Sequence, residues 1–378
     1  MELCLYDPIA GYYSRNSEQF GKAGDFYTSS DVHAVFGRLL ARQVEEMWQA
    51  LDRPSGLEIL ELGPGRGLFA RDVLDWAQKK FPEFFSALTY TLQESSPALR
   101  AKLGESLDQH ISVGKAVLSA PPNGAVETRL AASPEAEASP EAEDRLCKIH
   151  RSNPPETPVI VFANEFFDAL PVEILSPHGK LHLALEANHL SEIWLPPGAE
   201  ELEFLDRHSV QPEASERIEV PLAGQHWVAE VAAAIRQGCM LIIDYGYTRS
   251  EQLAGRHRGT LMAYRQHSAS PNPYQAPGEQ DLTAHVNFSA LTAAIEQAGM
   301  LPQKLVTQSQ FLMGVGESTQ FADAFEECRL PQERAKVALQ LKHLVSPIGM
   351  GDTFQVLVAS RGVEGEKVAA LSGLRFGR

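Results

Sequence analysis

Apolar and polar positions along the chain follow two periods, and their order predicts a fold before any single residue is interpreted. Val35, Leu39, Val44, Met47, Trp48 and Leu51 recur at helical spacing behind the capping candidates Ser29, Ser30 and Asp31, so a helix precedes the first strand. "LEILEL" then reads as a buried strand, "GLFARDVLDWAQKK" as a helix, "LTYTLQE" as a second strand and "SPALRAKLGESL" as another helix. "PVIVFANEF" and "CMLIIDYGY" are two further apolar runs, counted here as the fourth and fifth strands. Strands alternating with helices predict an α/β fold built on a parallel, doubly wound sheet. Between the fourth and fifth strands, the alternating "KLHLALEANHLSEIWLPP" and the amphipathic "QHWVAEVAAAIRQG" are too much for a simple crossover and predict an inserted cap over the sheet. The chain ends with the helix "FSALTAAIEQAG", a helical stretch to about Val345 and the strand "DTFQVLVASRG", read as part of a closing antiparallel pair.

The organisation expected from this pattern has an N-terminal lid and helix over residues 1–54 and a first part of the core over 55–175. The cap occupies 176–237 and the remainder of the core 238–378. Within the core, residues 120–158 are rich in Pro, Ala, Ser and Glu and nearly repeat "ASPEAE", which predicts a disordered acidic insertion on the surface.

Composition narrows the partners. Lys and Arg number 33 against 49 Asp and Glu, a net charge of −16 that repels phosphate backbones, so nucleic acid is not expected. Cys4, Cys147, Cys239 and Cys328 form no CxxC pair, which suits reduced thiols better than a metal site or disulfide framework and leads us to expect a cytoplasmic location and no metal. The start "MELCLYDPIAGYYS" lacks a basic region followed by an apolar segment, and no run of about eighteen apolar residues occurs, so neither secretion nor a membrane span is expected.

The chemistry is concentrated in "LEILELGPGRGLFARDVL", residues 57–74. A glycine-rich turn between strand and helix lets a ligand approach the backbone and meet free amides at the helix start. Dinucleotide sites want G-x-G-x-x-G, but the glycines here are Gly63, Gly65 and Gly67 with Leu68 following, so a dehydrogenase is disfavoured. Glu61, two residues ahead of Gly63, is a carboxylate that could attract a cationic ligand such as an amino-acid ammonium or a sulfonium, and S-adenosylmethionine carries both. Glu94, at the end of the second strand, could accept hydrogen bonds from both ribose hydroxyls. Tight packing of helix on strand is the competing structural explanation of the glycines.

"LYDPIAGYYS", "GDFYTSSDVHAVFG", "ELGPGRG", "ANEFFDALPVE", "IIDYGY", "GTLMAYRQH" and "PGEQDLTAHVNFSAL" occur together and in this order. With them the chain resembles the MidA-like class I methyltransferases, a family whose mitochondrial member methylates an arginine during assembly of respiratory complex I. The resemblance implies a Rossmann-like methyltransferase sheet, S-adenosyl-L-methionine as donor and a protein nitrogen as acceptor. It runs from about Leu5 to the last strand. Family members carry more chain before "LYDP" and a shorter segment at 120–158, so a truncated start and an unusually long insertion are expected here.

Methyl transfer from a sulfonium is an in-line displacement in which positioning and exclusion of water supply most of the rate. Its acceptor is expected at the carboxyl end of the fourth strand, where Asn164, Glu165, Phe166, Phe167 and Asp168 emerge. Asn164 is a candidate to orient either the cofactor's amino end or the acceptor. Glu165 and Glu173 bracket the loop, and two carboxylates suit a guanidinium, whose planar fork they could hold in bidentate fashion. A lysine or amide nitrogen, or a small molecule, is the alternative acceptor; a cap at the turn is the structural alternative for Asn164 and Asp168. The loop "GKAGDFYTSSDVHAVFG" could form a lid, Tyr245, Tyr264 and Arg265 could line the acceptor pocket, and His285 is a structural or proton-accepting histidine. The expected activity is methylation of an arginine nitrogen on a protein substrate, with a homodimer allowed. A non-catalytic assembly factor on the same fold is the competing reading.

Overall fold

The computed structural model describes residues 1–7, 9–14, 34–119, 150–186, 189–265 and 268–376. The expected lid loop and the capping candidates Ser29 to Asp31 lie outside these residues, as do residues 120–149 of the insertion.

Helix α1 (Ala34–Ala50) leads into β1 (Leu57–Leu62), α2 (Leu68–Lys80), β2 (Leu88–Gln93), α3 (Pro97–Ser106) and β3 (Ala116–Leu118). After the insertion comes β4 (Val159–Asn164). All six β1 residues are buried, including Glu58 and Glu61, because helices cover both faces of the strand. Strand β3 escaped the sequence pattern: three residues at a sheet edge are too short for a period to register.

A second sheet follows, of β5 (Glu173–Ser176), β6 (Gly179–Glu186), β7 (His189–Leu195) and β8 (Ile218–Val220), in the order β7-β6-β5-β8, with α4 (Ala199–His208) between β7 and β8. Helix α5 (Leu222–Ala234), read within the cap, packs instead on the parallel sheet: Trp227, Val228, Val231 and Ala232 bury against Leu60, Val161 and Ile242. It is the crossover into β9 (Gly238–Tyr247). A third small sheet joins β10 (Met262–Arg265), β11 (Ser268–Ser270) and β12 (Asp281–Thr283). The chain continues through β13 (Val286–Asn287), α6 (Phe288–Gln297), β14 (Leu301–Pro302), β15 (Val306–Thr307), α7 (Gln308–Glu317), α8 (Pro331–Val345) and β16 (Phe354–Arg361).

The central sheet runs β14-β16-β9-β4-β1-β2-β3. Strands β3, β2, β1, β4 and β9 are parallel, while β16 lies antiparallel to β9 over eight residue pairs, the closing pair expected from the pattern. One face is covered by α1, α2, α7 and α8 and the other by α5 and α6. Each fully buried leucine or isoleucine in these clusters contributes about 1.5–3 kcal/mol, enough to hold the strand ends in a fixed register.

The carboxyl ends of β1, β2, β4 and β9 point to one rim, and strand order reverses between β1 and β4, which is where open α/β sheets bind ligands. The N-terminal segment closes over that rim. A helical turn at Glu2–Tyr6 and a 3-10 turn at Tyr12–Ser14 bury Leu5 and Tyr12 against Ala263 and Leu282 of the third sheet.

The end of the expected insertion is ordered. Arg151 donates from Nε to Glu58 Oε2 at 2.8 Å and the Ser152 amide to Glu58 Oε1 at 2.7 Å, so a buried charge inside β1 ties down residues from His150 onward. No helix among the described residues is long and apolar enough to cross a membrane.

Candidate functional site

A cavity of about 510 Å³ opens at the rim. Its floor is the turn from β1 to α2. Gly63, Gly65 and Gly67 have φ of 60°, 54° and 72°, the left-handed region that glycine enters without strain. A Cβ on Gly63 would stand 2.9 Å from Phe166 Cδ2, so the turn is shaped both by backbone angle and by the ring pressed against it. Gly67 is the N-cap of α2, where free amides face the turn.

Glu94 follows β2 and is 7% exposed. The Ser96 amide donates to its Oε1 at 2.9 Å, and the Gly65 amide also donates to its carboxylate, so turn and strand end are tied together. Burial pushes the Glu94 carboxyl up to about 7 despite those donors. Glu61 accepts the Tyr90 hydroxyl at 2.9 Å, and burial pushes its carboxyl up to about 8, with the Glu94 charge adding to the rise. The simple expectation of a charged Glu61 drawing in a cation is therefore modified: at neutral pH and without a ligand, burial holds this group largely protonated.

The opposite wall comes from the end of β4. Asn164 donates from Nδ2 to Glu165 Oε1 at 3.1 Å, while its own Oδ1 is buried without a partner among the described residues. Glu165 has φ of 50°, a conformation costly for a side-chain-bearing residue and held here by the surrounding turn. Asp244, fully buried at the end of β9, organises that turn: its Oδ2 accepts the amides of Phe166, Phe167 and Asp168 at 3.2, 3.0 and 3.4 Å.

Glu61, Gly63, Gly65, Glu94, Asn164 and Glu165 all line the cavity, and Gly67 stands at its helix cap. Glu173 does not join them. It begins β5, pairs with Lys180 at 3.2 Å and has a side chain 41% exposed, because the antiparallel pairing of β5 with β8 carries it away from the rim. The expected Glu165–Glu173 pair is thus not assembled. Among the described residues, the second sheet, read as a cap, contributes none to the lining; the N-terminal segment and the third sheet do. Tyr245, Tyr264 and His285 line the cavity, whereas Arg265 pairs with Glu279 at 2.9 Å. His285 shares a 3.0 Å Nδ1–Nδ1 contact with His257, and burial lowers its pKa to about 4, so it is neutral in the working range.

Sequence reasoning missed Tyr6, Tyr13, Asp281 and Thr283, which also line the cavity. They lie in "LYDPIAGYYS" and "GEQDLTAHV", stretches that carried the family resemblance but have no periodicity to place them against the sheet. Among the described residues, five carboxyl groups, Glu61, Glu94, Glu165, Asp168 and Asp281, and one arginine, Arg66, line the cavity. Burial raises the pKa of several of these carboxyl groups, Glu61 and Glu94 among them, and a cationic ligand entering the lining would favour their ionised forms. Among the described residues, no group of three or more His, Cys, Asp or Glu side chains could hold a metal ion.

Comparison with known proteins gives this geometry a context. A family model described as S-adenosyl-L-methionine-dependent methyltransferase matches residues 39–306. The chain is 28% identical over 387 residues to the mitochondrial protein arginine methyltransferase NDUFAF7 homolog of Drosophila melanogaster, covering 96% of this chain and 80% of that protein. It is 28% identical over 371 residues to mitochondrial protein arginine methyltransferase NDUFAF7 of Danio rerio, covering 94% and 81%. A Burkholderia thailandensis protein crystallised with S-adenosyl-homocysteine shares the fold at TM-score 0.75 and 24% identity, over 99% of this chain and 88% of that one. The mitochondrial relatives overturn the expected cytoplasmic location. Scattered cysteines separate reducing from oxidising surroundings, not one reducing compartment from another.

Proposed function

The chain belongs to the S-adenosyl-L-methionine-dependent methyltransferases, and from that membership we propose that it transfers the methyl group to an arginine nitrogen of a protein substrate. The observation that carries the reading is the composition of the cavity wall among the described residues, five carboxyl groups against one arginine, which suits a cationic acceptor beside a cationic donor. The names of the relatives, protein arginine methyltransferases, agree with it.

The residues present fit the cofactor. Positive-φ glycines leave the turn open to close approach, and Glu94 at the cavity wall offers a carboxylate that ribose hydroxyls would donate to in this reading. The buried, unpartnered Asn164 Oδ1 calls for a donor such as an ammonium group. When bound, S-adenosylmethionine supplies a methyl group on cationic sulfur, and the carbon–sulfur electron pair returns to sulfur as the acceptor nitrogen takes the carbon.

The chain's own contribution is orientation and control of water and the proton. Leu62, Phe166, Trp227 and Met350 give the cavity apolar walls that exclude water. Glu165, fixed by its backbone conformation and by Asn164, is proposed to hold the reacting guanidinium nitrogen and receive the proton that leaves it. In this account Glu173 has no part.

Incubation with methyl-labelled S-adenosylmethionine and lysate of the protein's own host is expected to label a discrete protein band. Gly65→Glu, which puts a charged side chain into the turn, should erase that band. Label confined to small molecules, or equal labelling by the variant, would refute the proposal.

A further inference from the structure

Six side chains that approach the cavity from five separate parts of the chain form one arrangement. Tyr6 and Tyr13 come from the N-terminal segment, Asp168 from the turn after β4, Tyr245 from β9, Tyr264 from β10 and Asp281 from β12, and all six line the cavity. The Tyr6 and Tyr13 rings stand 5.7 Å apart at 32°. The Tyr13 hydroxyl donates to Asp281 Oδ1 at 2.9 Å, and the Tyr245 hydroxyl donates to Asp168 Oδ2. Tyr6 is anchored by a 3.0 Å bond from its hydroxyl to the Ala169 carbonyl, and the Asp168 carbonyl accepts the Ala284 amide at 2.9 Å.

Two features of this group point to a ligand. Asp168 is 5% exposed; the amides of Asp168 and Ala169 lie beside its carboxyl, but its buried Oδ1 makes no full hydrogen bond among the described residues and could accept one from a ligand's N–H donor. The four phenol rings are half-buried: Tyr6 and Tyr13 pack on one side against the Leu5–Leu282 cluster and Tyr245 against the sheet core, and all four also present surface to the cavity. Aromatic faces around a carboxylate attract organic cations through the ring quadrupole, more strongly once water is excluded. Planar guanidinium, with five donors in a fixed fork, can stack on a ring and bond a carboxylate at the same time.

We propose that Tyr6, Tyr13, Tyr245 and Tyr264, with Asp168 and Asp281, form a cage that binds the guanidinium of the acceptor arginine. The cage rests on the proposed arginine specificity and adds to it the subsite that recognises the side chain. It leaves Glu165 to act on the reacting nitrogen. It also gives the N-terminal segment a function, since two of its tyrosines complete the wall.

Ethylguanidinium is a suitable probe because it carries the recognised group without a polypeptide. Titrated into protein saturated with S-adenosylhomocysteine and followed by NMR, it is expected to bind, with Asp168→Asn weakening it by about 10-fold or more through loss of a charge-assisted bond. Tyr264→Leu, which removes a half-buried ring, should weaken it by about 3-fold or more. Both variants should keep the affinity for S-adenosylhomocysteine, which also shows that they fold. Ethylguanidinium affinity unchanged in both variants, or absent in the wild type, would overturn the cage. Tighter binding of tetramethylammonium than of ethylguanidinium would overturn its assignment to guanidinium. The arginine reading fails separately, if methyl label from a native acceptor is found on another residue type while the cage still binds the probe.

Discussion

Gly63→Ala tests whether the turn from β1 is built for close approach or is merely tolerant of glycine. Gly63 has φ of 60°, and an added Cβ would meet Phe166 Cδ2 at 2.9 Å. The left-handed conformation costs an L-residue about 1–2 kcal/mol. Carbon atoms sit comfortably at about 3.5–4.0 Å, so the ring would have to retreat by roughly half an ångström or more. It cannot do so freely, because Phe166 packs edge-on against Phe167 at 5.3 Å and against Trp227 at 4.9 Å. Overpacking of this kind adds about 1–3 kcal/mol, for a total of about 2–5 kcal/mol. In a chain of this size, with an unfolding entropy of about 2.1 cal/mol/K per residue, that lowers the melting temperature by about 3–6 °C. Since Phe166 lines the cavity, S-adenosylhomocysteine binding measured by calorimetry should weaken by about 10-fold or more as the wall shifts. Gly104→Ala is the control: it lies in α3 with nothing within 4 Å of the added atom, and is expected to stabilise by about 0.5–1 kcal/mol. A Gly63→Ala protein with unchanged melting temperature and affinity would refute the reasoning.

Other consequences follow from the carboxylates. Glu94 has its carboxyl pushed up to about 7, and ribose hydroxyls donate best to the ionised form, so affinity for S-adenosylhomocysteine should fall as pH drops below 7. Glu94→Gln should weaken binding and flatten that dependence in calorimetric titrations. For Glu61 the folded-state value of about 8 lies above the ordinary 4.5, so its contribution to stability is complete below 4.5 and lost as pH rises through 8. Urea unfolding of the ligand-free protein should therefore show stability falling from pH 6 to pH 9, and Glu61→Gln should reduce the fall; equal slopes would remove Glu61 as the cause. Glu173→Gln should leave methyl transfer unchanged and cost at most about 1 kcal/mol, the usual worth of an exposed ion pair like that with Lys180. Glu165→Gln should cut labelling by about 100-fold while S-adenosylhomocysteine affinity holds.

What was legible in the sequence was what repeats. The buried runs of β1, β2, β4 and β9 announce themselves because parallel strands covered on both faces are mostly apolar, interrupted by polar side chains that pair with one another, such as Thr91 with Glu58, and the glycine turn follows directly from β1. Strand β3, only Ala116–Leu118, carries no such signal. Helix α5 was assigned to the cap because amphipathicity identifies a buried face without identifying the surface it meets. The acceptor side was the hardest to read. Glu165 and Glu173 are near neighbours in sequence, but β5 turns into a second sheet between them. Tyr13 and Asp281 lie 268 positions apart and share a 2.9 Å hydrogen bond, a contact that no local pattern encodes.

Methyl transfer to arginine is the central claim, and fragment-ion mass spectrometry of the host protein labelled by this enzyme and S-adenosylmethionine tests it most directly. The account predicts added methyl groups on an arginine side chain, absent when the reaction is run with Glu165→Gln for the same time. Methyl groups found on lysine, glutamine or another residue, with none on arginine, would contradict it.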